Sequence, residues 1–230
     1  MSARTPGLLA AAWIVARKDL AIEFRTRSAY LSALVFSLLA IVIFYFAWDP
    51  TAIGSSDLAP GVLWVTFTFS GLLGLHRSFG VEQQDGAMDA LLIAPVPRES
   101  LFLGKALANL VFVLGVQAVA LPAVALFYNL PIGPALGPLA ALMVLASVGL
   151  VAVGTMFAGM TANTRLAELL LPVLALPFFV PIVLPAAKTT ALLLAGRPVS
   201  EAVAWLRILL AFDLVFAYAC MLVFPFTLDD

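Results

Sequence analysis

Six apolar stretches, each near or above the length of a bilayer-crossing helix and separated by shorter polar turns, constrain this chain more than any other feature. They fall at residues 28–48, 59–76, 101–128, 135–160, 166–187 and 203–226. A hydrocarbon layer of about 30 Å is crossed by roughly 20 helical residues. Inside it every backbone N–H and C=O needs a partner within the protein, which leaves helices or closed barrels as the spanning structures. Apolar runs of this length specify helices. Composition agrees: 63% of residues are hydrophobic, 11% are charged and mean hydropathy is +1.11, whereas soluble domains are about half apolar. The expected fold is an all-α membrane protein, with residues 1–230 forming one transmembrane domain.

Ahead of the first span, Leu9, Trp13, Ala16, Leu20 and Phe24 recur every three or four residues between 8 and 27, and Arg17, Lys18, Glu23, Arg25 and Arg27 supply the charged remainder. This spacing predicts an amphipathic helix lying in the membrane interface. A signal peptide fits less well, because Arg17-Lys18-Asp19 follows the apolar run and no small-residue cleavage site leads into a polar domain. With both ends in the cytoplasm, Arg4, Arg17, Lys18, Arg25, Arg27, Arg77, Arg98, Lys105 and Arg165 lie inside, against Lys188, Arg197 and Arg207 outside. The positive-inside rule favours that orientation. It brings Trp48, Trp64, Tyr128 and Trp205 near the outer interface and Trp13 near the inner one, as an aromatic belt requires.

The polar turn from 82 to 100 then faces the cytoplasm. It carries Glu82, Asp85, Asp89, Arg98 and Glu99 around a short helical pattern, Met88, Leu91 and Leu92, which Asp85 caps and Pro95 with Pro97 stops. An apolar face with acidic flanks suits a docking element. The competing reading is a solvated loop whose leucines rest on lipid headgroups.

Two further features stand inside the spans. Pro172, Pro177, Pro181 and Pro185 punctuate the fifth. Each removes a backbone donor and crowds the preceding turn, so this helix is expected to kink, break or re-enter, and it serves as a hinge or pathway lining unless its neighbours merely tolerate the bend. Asp213 is the one acid deep in a span, where a charge costs about 2.5–3.5 kcal/mol on insertion scales. Asp213 is therefore either held by a structural hydrogen bond or part of a proton or substrate pathway, and it lies close to the outer surface if the last helix starts late. Small residues such as Ser70 with Gly74, and Gly154 with Ala158, are packing sites, between two copies or within one chain.

Familiar chemistries are poorly represented. Gly104-Lys105 lacks the glycine at Glu99 and the hydroxyl at Ala106 that a phosphate-binding loop needs. One cysteine, Cys220, excludes an internal disulfide. One histidine, His76, at the end of a span beside Arg77, reads as an interfacial residue more readily than as a haem or metal ligand. Net charge of −1 offers no basic field for nucleic acid.

The pattern Glu82-x-x-x-Gly86-x-x-x-x-Leu91-Leu92-x-x-Pro95-x-x-Arg98, followed by Gly104-Lys105, resembles the membrane subunits of ABC-2 class exporters. The stretches 62–79, 84–97 and the proline-rich 171–186 resemble more closely the haem exporter protein B (CcmB) family, permeases of cytochrome c maturation. The likeness covers most of the chain. It implies a non-catalytic, multi-pass subunit of the bacterial cytoplasmic membrane, paired with a cytosolic ABC ATPase and haem-handling membrane partners. Two copies per complex are expected, since six spans make half an ABC membrane core. It further implies that ATP acts through the partner, that the complex releases a haem-loaded chaperone with haem as the handled species, and that Glu82, Asp85, Gly86, Met88, Asp89, Leu91, Leu92 and Pro95 form the coupling helix. A related exporter of a lipid-linked saccharide or drug, and a stand-alone secondary transporter, are the alternatives. Against the last stand the lack of a visible internal repeat and the presence of a single deep acid.

Overall fold

The computed structural model describes residues 7–84, 97–162, 164 and 166–228, with backbone alone for 80–84, 167–168 and 228. All regular structure among them is helical. Helix α1 spans Leu8–Thr26 and α2 Ser28–Ala47. Helix α3 runs Ser55–Gln84, α4 Arg98–Phe127, α5 Leu136–Ala162, α6 Ala167–Leu194 and α7 Val203–Val223, with 3₁₀ turns at Val199–Ala202 and Phe224–Leu228. Six of these helices, α2 to α7, are long and apolar enough to cross a membrane. The protein is an all-α, multi-pass membrane protein, with one additional helix, α1, among the described residues.

Between α1 and α2 the chain turns at Arg27, whose backbone is left-handed (φ 54°, ψ 5°). Its N–H donates to Glu23 O at 2.6 Å, closing α1, and its own carbonyl accepts from Leu31 N–H at 2.9 Å, opening α2. One residue ends one helix and starts the next. On the opposite side of the molecule, the α2–α3 loop is set by Asp49, which accepts from the Thr51 hydroxyl (2.7 Å) and backbone N–H (2.9 Å). These bonds hold its carboxyl below the usual carboxylate range.

Lipid offers helices no hydrophobic reason to associate, so close packing through small residues does most of the work. A Cβ on Gly154 would lie 2.3 Å from Leu75, one on Gly74 would lie 2.1 Å from the Phe112 ring, and one on Gly159 would lie 2.7 Å from Phe224. The small residues read as packing sites thus serve contacts within the chain. Helix α5 is the hub, packing on α3, α4, α6 and α7.

In α1 the protein-facing stripe is Ala11, Ala12, Val15 and Ala16, while Leu9, Trp13 and Phe24 point outward, 78%, 62% and 71% exposed. Small residues meet the neighbouring helix and large ones are left for lipid. Two expectations change. Trp64 is no belt residue: it is fully buried and donates from Nε1 to Thr190 Oγ1 at 2.9 Å, tying α3 to α6. Helix α6 is continuous through all four prolines, so the broken or re-entrant alternative does not hold. Each proline still removes a backbone donor, and continuity on both sides comes from packing against α3, α5 and α7.

Candidate functional site

The polar turn is rooted in the end of α3 and the start of α4. At the end of α3 and the start of α4 the aromatic rings of Phe79 and Phe102 pack on Phe224, with centroids 6.1 and 5.3 Å away. Phe224, fully buried, opens the 3₁₀ turn that follows α7. Next to it Arg98 Nη1 donates to Pro225 O at 3.3 Å. The C-terminal turn is therefore wedged between the two helices that carry the polar turn.

Lys105 completes the joint. Its side chain has no exposed surface; Nζ donates to Ser78 O at 2.6 Å and to Asp19 Oδ2 at 3.3 Å, and lies 4.4 Å from the centre of the Phe79 ring. An ammonium so removed from water needs each of these partners. Asp19 also pairs with Lys18 at 3.1 Å. Just before Lys105, Gly104 brings the backbones of α4 and α1 together: a Cβ there would lie 2.6 Å from Ala12 O and 2.6 Å from Val15 Cβ. The Gly-Lys pair, unsuited to a phosphate, is thus a bracket holding α1 against α4.

Of the coupling residues expected from sequence, Glu82 lies in the last turn of α3 by its backbone. Asp85, Gly86, Met88, Asp89, Leu91, Leu92 and Pro95 lie outside the described residues.

Asp213 is buried at the middle of α7. Because α7 begins at Val203, it sits about 15 Å into the helix and not near its outer end. Neither carboxylate oxygen has a hydrogen-bond partner among the described residues, which removes the structural hydrogen bond expected for it. It lies over Gly149 of α5, where a Cβ would come 2.0 Å from Oδ1 and 3.1 Å from Ile182 of α6. The absence of a side chain at 149 is what makes room for the carboxyl.

Other polar groups cross the interior in pairs. Asn109 Nδ2 donates to Thr155 Oγ1 (3.1 Å) and Ser147 Oγ to Gln117 Oε1 (3.1 Å), both linking α4 to α5. The Nε2 of Gln117, the hydroxyls of Thr66 and Thr189, and the Tyr128 hydroxyl are buried without partners among the described residues. Within the proline series, Pro185 is buried, Pro172 and Pro181 are half-buried and Pro177 is exposed, so the four do not converge on one lining face. His76 is half-buried at the same level of α3 as Arg77. Among the described residues no group of three His, Cys, Asp or Glu side chains stands close enough to hold a metal ion.

Sequence reasoning did not identify Asp19, Phe224 or the buried state of Lys105. Small residues at 11, 12, 16 and 104 are the signal that points to the α1–α4 contact.

Comparison with known proteins gives a consistent result. A family model described as CcmB protein matches residues 10–229. "Heme exporter protein B" of Paracoccus denitrificans is 35% identical over 164 residues, covering 71% of this chain and 75% of that protein. The protein of the same name from Rhodobacter capsulatus is 32% identical over 164 residues, with the same coverage. That from Pseudomonas aeruginosa is 29% identical over 191 residues, 83% of this chain and 85% of its own length.

Proposed function

The chain belongs to the CcmB protein family, and from that premise we propose that it is the non-catalytic permease subunit of an ABC-2 class complex that handles haem during cytochrome c biogenesis. In this reading a separate cytosolic ATPase supplies the work, two copies of the chain form the membrane core, and haem-handling membrane proteins receive the result. The complex sits in the bacterial cytoplasmic membrane with both termini inside. ATP turnover by the partner releases a haem-loaded chaperone.

The observation that carries it is the joint at the roots of the polar turn. Lys105 links α4 to α1 through Asp19 and to α3 through Ser78, and Phe224 fills the space between Phe79 and Phe102. A push on the turn therefore moves α3, α4, α1 and the C-terminal turn as one body. That is the mechanical property an ATPase-coupling element needs. Met88, Leu91 and Leu92 would enter a groove on the ATPase, with Glu82, Asp85 and Asp89 at its rim and Gly86 and Pro95 bounding the short helix. In the membrane, the prolines of α6 act as the compliant segment and Asp213 as a polar point on the moving α5–α7 contact.

Affinity purification of the tagged chain in mild detergent, with identification of co-purifying subunits and assay of ATP hydrolysis, tests the proposal. An ATPase accompanied by haem-handling proteins, and lost on Leu91→Asp with Leu92→Asp, is the expected outcome. Recovery of an undiminished ATPase with the double variant would overturn the coupling role. An ATPase without haem-handling proteins would overturn the haem assignment.

A further inference from the structure

The elbow between α1 and α2 leans against the adjoining halves of α3 and α4 and leaves a cavity of about 680 Å³. At one rim stand Arg27 and Arg77. Arg77 Nη1 donates to the hydroxyl of Ser28, the residue next to Arg27, so the two arginines stand as neighbouring residues at one corner of the cavity. Arg27 Nε donates to Phe24 O at 3.3 Å, and neither arginine forms an ion pair among the described residues. Two acids also line the space, and both are engaged elsewhere. Asp19 is held by Lys105 and Lys18, and Glu23 Oε1 accepts from the Tyr30 backbone N–H at 2.8 Å.

Away from the arginines the wall is apolar, formed by Val111, Phe112 and Leu31. Tyr30 stiffens it, donating its hydroxyl to Gly115 O at 3.0 Å and meeting the Phe112 ring edge-on. Val111 and Leu31 are 47% and 54% exposed, so the cavity opens sideways toward the surroundings of the spans. Cations at the level of the interfacial helix and an apolar wall extending along the spans match the two parts of a membrane amphiphile.

We propose that this cavity binds one anionic glycerophospholipid from the leaflet in which α1 lies, with its phosphate held by Arg27 and Arg77 and its acyl chains on Val111, Phe112 and Leu31. Guanidinium groups suit this role because their planar donors meet phosphate oxygens in pairs. The volume falls within the range of about 300–1,000 Å³ found for small-molecule sites, enough for a headgroup and the first part of the chains. The site holds α1 to the spans beside the Lys105 bracket, whose partners Asp19 and Ser78 also line the cavity, independently of what the protein transports.

The full chain, reconstituted with equal phosphatidylglycerol and phosphatidylcholine and then taken into mild detergent, is analysed for retained lipid by native mass spectrometry. Wild type is expected to keep phosphatidylglycerol in preference. Arg27→Gln and Arg77→Gln should each cut that preference by about fivefold, the scale of one basic residue near an anionic surface. Arg25→Gln, on α1 but outside the cavity, should leave it unchanged; an equal loss there would overturn the proposal in favour of general surface attraction. Val111→Trp keeps both arginines and fills the exposed mouth, so it should lower the amount of retained lipid, and undiminished retention would equally overturn the site. Displacement of phosphatidylglycerol by inorganic phosphate would identify the ligand as free phosphate and overturn the lipid assignment.

Discussion

Lys105 Nζ lies 3.3 Å from Asp19 Oδ2, joining a helix that runs ahead of the first span to the start of the third. The lysine side chain is fully buried and the aspartate 15% exposed. Removing one partner of a buried pair leaves the other charge less well compensated, at a cost of up to about 3–5 kcal/mol, whereas replacing both with apolar groups is often neutral. Asp19→Ala is therefore expected to lower the midpoint of thermal unfolding in detergent, and Asp19→Ala with Lys105→Met to recover most of the loss. A double variant as unstable as the single would show that the loss comes from Asp19's own contacts and not from the lysine left behind.

Gly104 makes the same contact from the backbone side. The nearest atom to a Cβ there is the carbonyl oxygen of Ala12, at 2.6 Å, and a carbonyl on a helix cannot swing aside as a side chain can. Gly104→Leu should displace α1 from α4. Cysteines introduced on the facing surfaces should then lose their cross-linking, and Val15→Ala should fail to restore it because the Ala12 carbonyl remains. Recovery of the cross-link with Val15→Ala would mean that the side chain alone sets the approach.

The two contacts also mark what was and was not legible in the sequence. Six spans were readable because length and hydropathy decide them, and α1 because its charges forbid a seventh. The small-residue stripe by which α1 meets the protein was not: Ala11, Ala12 and Ala16 turn in, while Leu9, Trp13 and Phe24, the large residues that mark the amphipathic pattern, stay outward. Lys105 counted as an inner-surface charge because nothing in its neighbours in sequence announces Asp19, eighty-six positions away. Trp64 counted as a belt residue for the same reason, its partner Thr190 being 126 positions away. The polar turn was picked out by charge and apolar spacing, and its joint to the spans rests on tertiary contacts that no local pattern encodes.

Asp213 and Gly149 form a pair of a different kind. A carboxyl without a partner is a burden on the fold, of about 1–3 kcal/mol for a buried polar group left unsatisfied. Asp213→Ala is therefore expected to leave the thermal midpoint unchanged or raise it, while ATP hydrolysis coupled to the complex falls. Gly149→Ala should destabilise the protein, since the added carbon would meet Asp213 Oδ1 at 2.0 Å, and Asp213→Ala should rescue it. A clear loss of stability in Asp213→Ala would return this residue to a purely structural role.

The prolines of α6 separate by exposure. Pro177 faces outward and Pro185 is buried, yet each removes one donor from the same continuous helix. Replacing Pro177 with alanine returns a backbone N–H to the helix without opening a core cavity, and removes the steric cost of about 3 kcal/mol that an interior proline imposes. If α6 works as a compliant segment, the stiffer helix should unfold at a higher temperature and yet support less coupled ATP turnover. Pro185→Ala alters core packing beside Ala186, which is fully buried, so its stability should change little or fall. Measuring both variants by thermal unfolding and by ATPase assay of the purified complex distinguishes the two roles. A Pro177→Ala protein that is more stable and fully active would leave the prolines of α6 without a part in coupling.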